Sequence, residues 1–329
     1  MYICPVCKNT TNLPVCFFCG YKFIMSDGVY ILSNDPDINI DNESKDKYIG
    51  YEHIGEFYSG KKWYEITDRQ HITGKVIAEI AGDGIMLDLA CGDGNITVPT
   101  AKYGCRIIAA DISNKMLSLL FRKAKYNRIS MENVIVCRMN ALDIPIADNS
   151  FDYVIANSVM HLISNPYKVL TEIKRVLRPG GKYISLDDEP GKQDMIETEP
   201  NMKYIEVLNN FYKRYWECMK QANILPKKYS WKFDKAKICE ENFCNKTSFK
   251  IEYNKEYTVT LEDGMLYRMR GRGFSDQADV PEKIHNRIFR QTVKEFMVKY
   301  GNDFTEISYT GKEDNIKIDL FEKYRGTTL

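Results

Sequence analysis

The stretch Ile85-Met-Leu-Asp-Leu-Ala-Cys-Gly-Asp-Gly-Asn95 constrains the fold of this 329-residue chain more than any other. An apolar run carrying Asp88 ends in a turn with two glycines, and a helical pattern follows. Neither Gly92 nor Gly94 has a Cβ, so the backbone can turn sharply and approach a ligand closely. A second apolar run, Cys105 to Ala110, ends in Asp111. These pieces read as a strand, a tight turn, a helix and a second strand tipped with an acid. Strand–helix alternation of this kind calls for a parallel sheet with right-handed crossovers.

The helix after such a turn points free N–H groups at a ligand. An acid about twenty residues on is placed to grip ribose hydroxyls, and Asp111 stands there. Two features separate the possible ligands. A dinucleotide fingerprint adds a third glycine for close helix–strand packing, and here that position is Thr97. Asp88 also precedes the turn. A carboxylate is a poor neighbour for a pyrophosphate and a good one for a ligand with an ammonium and a sulfonium. Both details favour S-adenosylmethionine.

Asp88-Leu-Ala-Cys-Gly-Asp-Gly94 resembles motif I of the class I S-adenosylmethionine-dependent methyltransferases. Asp111-Ile-Ser-Asn-Lys-Met116 is similar to their second motif, and the stretch from Asn140 to Asp152 to the next. Tyr153-Val-Ile-Ala-Asn157 and the following residues through His161 resemble the fourth strand and its loop. The stretch from Glu172 to Gly181 is similar to the helix and turn before the fifth strand. The likeness covers residues 75 to 190 without a gap. It implies an α/β fold with a Rossmann-like seven-stranded sheet whose last strand is antiparallel. It places the cofactor against Tyr58, Asp88, Ala90, Gly92, Gly94, Asp111, Ile112, Met116, Asn140, Ala141 and Asn157. In the family an acid often stands where this chain has Asn140, and Asn supplies an acceptor there too. Tyr51 and Tyr58 resemble tyrosines that lie over the methionine end of the cofactor.

Cys4-Pro-Val-Cys7 and Cys16-Phe-Phe-Cys19 form two knuckles, each aiming two sulfurs at one point. Four thiolates suit tetrahedral zinc and close its coordination sphere, which predicts a structural role. Tyr2, Tyr21, Phe23 and Tyr30 are expected to cover the metal in a fold too small for its own core. The pattern resembles a zinc ribbon. Of the ten cysteines, Cys91, Cys105 and Cys137 fall on or beside predicted core elements, where small apolar packing is the default.

A core with appendages is the prior for a chain this long. Residues 1–32 read as the zinc ribbon and 33–75 as a linker with N-terminal helices. Residues 76–189 read as the cofactor-binding core, and 190–281 as an inserted cap. A C-terminal helix and strand hairpin over 282–329 would complete the core. Strands are expected near 85–89, 106–110, 134–138, 152–157 and 182–187. Pro179-Gly-Gly181 is a breaker before the fifth strand. Phe249 to Leu261 alternates like a hairpin, and Phe304–Tyr309 and Ile316–Phe321 read as the closing strands.

No apolar run approaches the ~20 residues that a membrane span needs, and the chain opens without a charged-then-apolar signal pattern. A cytoplasmic protein with no membrane partner is therefore expected. Net charge is +1. The lysines from Lys213 to Lys237 read as a solvated face.

Methyl transfer from a sulfonium is an in-line displacement, and alignment supplies much of its acceleration. His161 follows the fourth strand, where acceptors approach in the resembled family, and its ordinary pKa suits a base. Arg268-Met-Arg270-Gly-Arg272-Gly carries three alternate arginines. Arg270 and Arg272 are the candidate clamp for a carboxylate or phosphate on the acceptor. A small-molecule acceptor, methylated on oxygen or nitrogen under the cap, is expected ahead of RNA. The RNA alternative follows from ribosomal RNA guanine methyltransferases that also carry an N-terminal zinc module. Against it, Lys8 and Lys22 are the ribbon's only cations, and a nucleic-acid surface needs a cationic footprint. A cofactor-binding module that only docks proteins is the third reading.

Overall fold

The computed structural model describes residues 1–32, 55–57, 60–157, 159–160, 163, 165–188, 198–225, 235–253, 255–274, 276–277, 280–312 and 315–324. The chain opens with β1 (Tyr2–Ile3) and β2 (Thr10–Thr11), which pair antiparallel on either side of the first knuckle. Next comes a hairpin of β3 (Ile24–Ser26) and β4 (Val29–Ile31). It turns on Asp27 and Gly28, both at positive φ, the conformation that matches a two-residue turn to strand twist.

Helix α1 (Asp68–Ala81) starts at Thr67, whose side chain and that of Gln70 cap one another's backbone. Such reciprocal capping satisfies two otherwise orphaned donors. The alternating core follows: β5 (Ile85–Leu89), α2 (Thr97–Ala101), β6 (Arg106–Asp111), α3 (Asn114–Tyr126), β7 (Val134–Arg138), β8 (Phe151–Ile155), α4 (Pro166–Val176) and β9 (Leu177–Asp188). Then come α5 (Glu199–Gln221), α6 (Lys235–Asn242), β10 (Asn245–Ile251), β11 (Glu256–Thr260), α7 (Tyr267–Arg270), α8 (Glu282–Tyr300), β12 (Ser308–Lys312) and β13 (Ile316–Glu322).

The main sheet runs β10-β13-β9-β8-β5-β6-β7-β4-β3. Its inner strands are parallel, and both faces are buried. On β5, Met86 packs to one side while Leu87 and Leu89 pack to the other; Ile107 and Ala109 of β6 alternate with Ile108 and Ala110 in the same way. Side chains alternate faces because the strand period is two, and helices cover both faces as a parallel sheet requires.

Three details differ from the sequence reading. First, the sheet has nine strands, because the hairpin β3–β4 joins it, with β4 parallel to β7. Tyr2, Phe23 and Leu32 enter the main core, and Ile3 donates its N–H to the Pro145 carbonyl at 3.0 Å. Two of the aromatics expected to cover a metal thus anchor the ribbon to the sheet.

Second, the closing hairpin is made differently. β13 lies antiparallel to β9, as expected, but its other neighbour is β10. The alternating stretch around 249–261 therefore supplies one strand to each of two sheets: β10 joins the main sheet, and β11 pairs with β12 in the cap. Alternation specifies a strand's faces but not its partner.

Third, Pro179-Gly-Gly181 does not break the strand. β9 continues through it with a shift in its pairing to β8, and Gly180 takes φ 79°. The glycines are spent on a bulge, which re-aims a strand without ending it.

The cap has its own core. Val207, Phe211 and Tyr215 of α5 meet Ile288, Phe289 and Phe296 of α8, with Leu261, Leu266 and Met269 beneath. No helix among the described residues is long and apolar enough to cross a membrane.

Candidate active site

The turn after β5 is built on three departures from ordinary backbone at alternate positions. Ala90, Gly92 and Gly94 have φ of 58°, 56° and 82°. At Gly94 a Cβ would lie 2.7 Å from Val98 and 2.8 Å from Leu120, so no side chain fits. At Gly92 the nearest atom to a Cβ would be the Met116 methyl at 3.6 Å. There the constraint is the backbone angle, not the space.

Asp111, at the tip of β6, holds the turn in place. Its Oδ2 accepts the Gly92 N–H at 2.9 Å, and its Oδ1 accepts the Ser113 N–H at 2.9 Å. Ser113 in turn caps α3 by accepting the Met116 N–H. Met116 is buried against Trp63 and Leu119. Ile112 is half-buried, and its carbonyl accepts from Arg138 at 3.0 Å.

Asp88 is 2% exposed and accepts a hydrogen bond from the Thr97 hydroxyl at 2.5 Å. The position that would be a third glycine therefore has its own use. Burial pushes the Asp88 carboxyl up to about 7, with the Asp111 charge adding to the rise and Thr97 opposing it.

Beneath the turn lies a network the sequence reading missed. The Lys123 ammonium donates to Asp93 Oδ2 and to Asn95 Oδ1, both at 2.7 Å. Asn95 also accepts from Gln70 at 2.6 Å and donates to Asp93 at 2.9 Å. Lys123 is 1% and Asp93 2% exposed. A buried charge persists only when paired and hydrogen-bonded. This pair ties the turn to α3, and Gln70 ties it to α1. The signal was present: Lys123 sits among Met116, Leu117, Leu119, Leu120 and Ala124, on the buried face of its helix.

Asn140 is buried beyond β7, and its Oδ1 accepts the Leu142 N–H at 2.9 Å. Ala141 beside it is half-buried, as is Asn157 beyond β8. Ala90, Asp111, Asn140 and Asn157 thus gather past the carboxyl ends of adjacent strands, where ligands sit in open α/β sheets. Tyr51, Tyr58 and His161 lie outside the described residues.

Residues 87–185 match a family profile described as a methyltransferase domain. A demethylmenaquinone methyltransferase from Bacillus cereus (strain ATCC 10987 / NRS 248) is 28% identical over 205 residues, 58% of this chain and 82% of the relative. One from Bacillus anthracis (strain A0248) is 29% identical over 206 residues, with the same coverage. The chain is a class I S-adenosylmethionine-dependent methyltransferase. A Haemonchus contortus N-methyltransferase solved with S-adenosylhomocysteine overlaps this methyltransferase more loosely. It is 17% identical, covers 86% of this chain and 58% of its own, and has a TM-score of 0.40.

The cap reaches the cofactor end of the methyltransferase through residues 55–57. A Cβ on Gly55 would touch Met116 Sδ at 3.3 Å, and one on Gly271 would overlap the Phe57 ring at 1.8 Å. Phe57 is thus wedged into the arginine loop, and Gly271 is glycine to admit it. The arginines are not free. Arg270 pairs with Glu262 at 2.7 Å, and Arg272 donates to the Val280 carbonyl at 3.0 Å.

Other polar groups of the cap are less well satisfied. Gln277 is fully buried, and among the described residues neither its amide atoms nor Asp276 Oδ1 nor Trp216 Nε1 has a well-formed hydrogen bond. They stand beside Tyr212, whose hydroxyl donates to Asp276 Oδ2. Next to them, His285 contacts the Tyr215 hydroxyl at 2.8 Å and the Arg270 carbonyl at 3.1 Å. Burial holds His285 down to about 4, so it is neutral at ordinary pH and is not a cation for the site. Apart from its arginines, the sequence reading found none of this polar group, because it saw the aromatics of α5 only as packing.

In the ribbon, the Sγ atoms of Cys4, Cys7, Cys16 and Cys19 all lie within 4.8 Å of one another. Cys4–Cys19 and Cys7–Cys16 are each 3.6 Å apart. Thiolates at tetrahedral zinc stand about 3.8 Å apart, given the Zn–S length of about 2.3 Å, so the donor set fits that ion. Each knuckle closes on a residue at positive φ, Lys8 and Gly20.

Proposed function

We propose that this methyltransferase acts on an oxygen or nitrogen of a small-molecule acceptor held under the cap, and that the ribbon carries one structural zinc. The observation that supports an acceptor site there is the segment 55–57, which lies against Gly271 at Phe57 and against Met116 at Gly55, with Met116 in turn beside Gly92. It ties the arginine loop of the cap to the glycine turn by way of Met116. The named relatives are demethylmenaquinone methyltransferases, whose acceptor is a small molecule, and this agrees with the reading.

Asp111 would take the ribose hydroxyls, with Ala90, Gly92 and Gly94 giving the cofactor close backbone. Ile112, Met116, Asn140 and Ala141 would flank and read the adenine. Asp88 and Asn157 would face the methionine end, together with Tyr58. S-adenosylmethionine would supply the methyl carbon to the acceptor's lone pair and would depart as S-adenosylhomocysteine. His161 would take the acceptor's proton, and Arg270 and Arg272 would position an anionic group by exchanging their present partners. Four cysteine thiolates would hold the zinc and leave it no open position, so it would supply folding energy and no chemistry.

Calorimetry with S-adenosylmethionine tests the donor half: Gly92→Arg should abolish binding, and unchanged affinity would sink the site. Transfer of labelled methyl from S-adenosylmethionine into organic-soluble extract, rather than into total RNA, tests the acceptor class. Metal analysis should find close to one zinc per chain; a stably folded, metal-free ribbon would refute that part.

A further inference from the structure

The outer face of α8 carries Lys283, Arg287, Arg290 and Lys294. Their spacing of four, three and four residues places them on one stripe of the helix. At 1.5 Å per residue the stripe is about 16 Å long. All four side chains are exposed. Among the described residues none of them forms an ion pair, whereas neighbouring cations of the cap do: Arg214 with Glu295 at 2.6 Å, Arg270 with Glu262 at 2.7 Å and Lys61 with Asp263. The four line a shallow groove of about 670 Å³ together with Asn286, Gln291 and Glu295, the last already paired with Arg214.

The stripe does not end in another charge. Continuing by three and four residues from Lys294, it reaches Met297, 37% exposed, and Val298, 89% exposed. The opposite face of the helix is fully committed: His285, Ile288, Phe289, Thr292 and Phe296 are buried in the cap. The helix therefore presents a fixed surface of unpaired cations that runs into an exposed apolar pair.

We propose that this face docks the enzyme on an anionic lipid surface. The cations meet headgroup phosphates, which attract basic side chains near a membrane, and Met297 and Val298 enter the boundary beneath the headgroups. A single-stranded nucleic acid would also meet the cations, but it calls for aromatic platforms between them. On this face the other lining groups are Asn286, Gln291 and Glu295, none of them aromatic. The expectation of no membrane partner rested on the lack of a spanning segment, and peripheral docking needs none. The proposal holds whether the acceptor is lipid-borne or dissolved, since it rests on the outer face of α8 and not on the site.

The test is co-sedimentation of the full chain with phosphatidylcholine vesicles, with and without about one third phosphatidylglycerol. Binding should require phosphatidylglycerol, fall as salt is raised, and weaken by about tenfold or more in the Arg287→Glu, Arg290→Glu double variant. Val298→Asp should weaken it further at high salt. The double variant should keep its affinity for S-adenosylmethionine, which controls for folding. Equal binding to both vesicle types, or an undiminished double variant, would overturn the proposal. So would tighter binding to a fluorescent oligouridine than to the anionic vesicles.

Discussion

The donor turn and the cap treat buried polarity in opposite ways. Around the turn, Asp93, Lys123, Asn95 and Gln70 satisfy one another, Asp88 has Thr97, and Asp111 takes two backbone N–H groups. In the cap, both amide atoms of Gln277, one oxygen of Asp276 and the Trp216 nitrogen have no well-formed hydrogen bond among the described residues. A buried polar atom without a hydrogen bond costs about 1–3 kcal/mol. On the proposed reading, the turn is preorganised for one invariant cofactor. On the same reading, the buried polar groups of the cap serve the acceptor.

The largest expected effect tests whether the turn is as interdependent as it looks. Lys123→Met should destabilise the protein by about 3–5 kcal/mol, because it leaves Asp93 buried and unpaired. Urea unfolding measures this, and adding Asp93→Asn should recover part of the loss. A loss below ~1 kcal/mol would mean the pair is no keystone.

Next come the two glycines, which differ in physical reason. Gly92→Ala meets open space and should weaken S-adenosylmethionine binding about tenfold, from the cost of a left-handed residue of about 1–2 kcal/mol. Gly94→Ala adds collision with Val98 and Leu120 and should cost clearly more. Equal calorimetric affinities for the two variants would erase the distinction.

A gradual effect follows from Asp88. Its folded pKa is about 7 against an ordinary 3.8. A carboxyl raised in the folded state contributes stability that is full below pH 3.8 and is lost as pH rises through about 7. The wild type should therefore lose cofactor-free stability across that window relative to Asp88→Asn, followed by denaturant midpoints at each pH. A constant difference between the two would contradict a buried, proton-holding carboxyl.

The smallest stability change should come from the cap. Gln277→Leu removes an unsatisfied amide, so stability should stay within about 1 kcal/mol of wild type or rise, in line with replacing polar by apolar groups of similar shape. Acceptor turnover should fall while S-adenosylmethionine affinity holds. A marked loss of stability would show that the amide is satisfied by water and serves folding instead.

Much of the donor half was legible because its constraints are local. A glycine turn, an acid at a fixed distance and alternating apolar runs carry their meaning within about thirty residues, the span of one βαβ unit. The strands at 85–89, 106–111 and 134–138 fell where periodicity placed them. The Lys123–Asp93 pair joins residues thirty apart, and its clue was a lone lysine on an apolar stripe. The cap was harder, since α5 and α8 meet across sixty residues of intervening chain. Their aromatics announced burial without saying which polar groups would be buried with them.

By itself the sequence determined the methyltransferase core: the order Asp88, Gly92, Gly94, Asp111 specifies the backbone angles of the turn and the charges beside it, whatever surrounds them. It also determined the cysteine knuckles, whose geometry is set within four residues each. Only the tertiary structure decided where β10 and β12 pair, that the ribbon would weld its hairpin to β7, and that Phe57 would wedge against Gly271. These depend on partners distant in sequence, and alternation of apolar residues specifies a face to bury without specifying what will cover it.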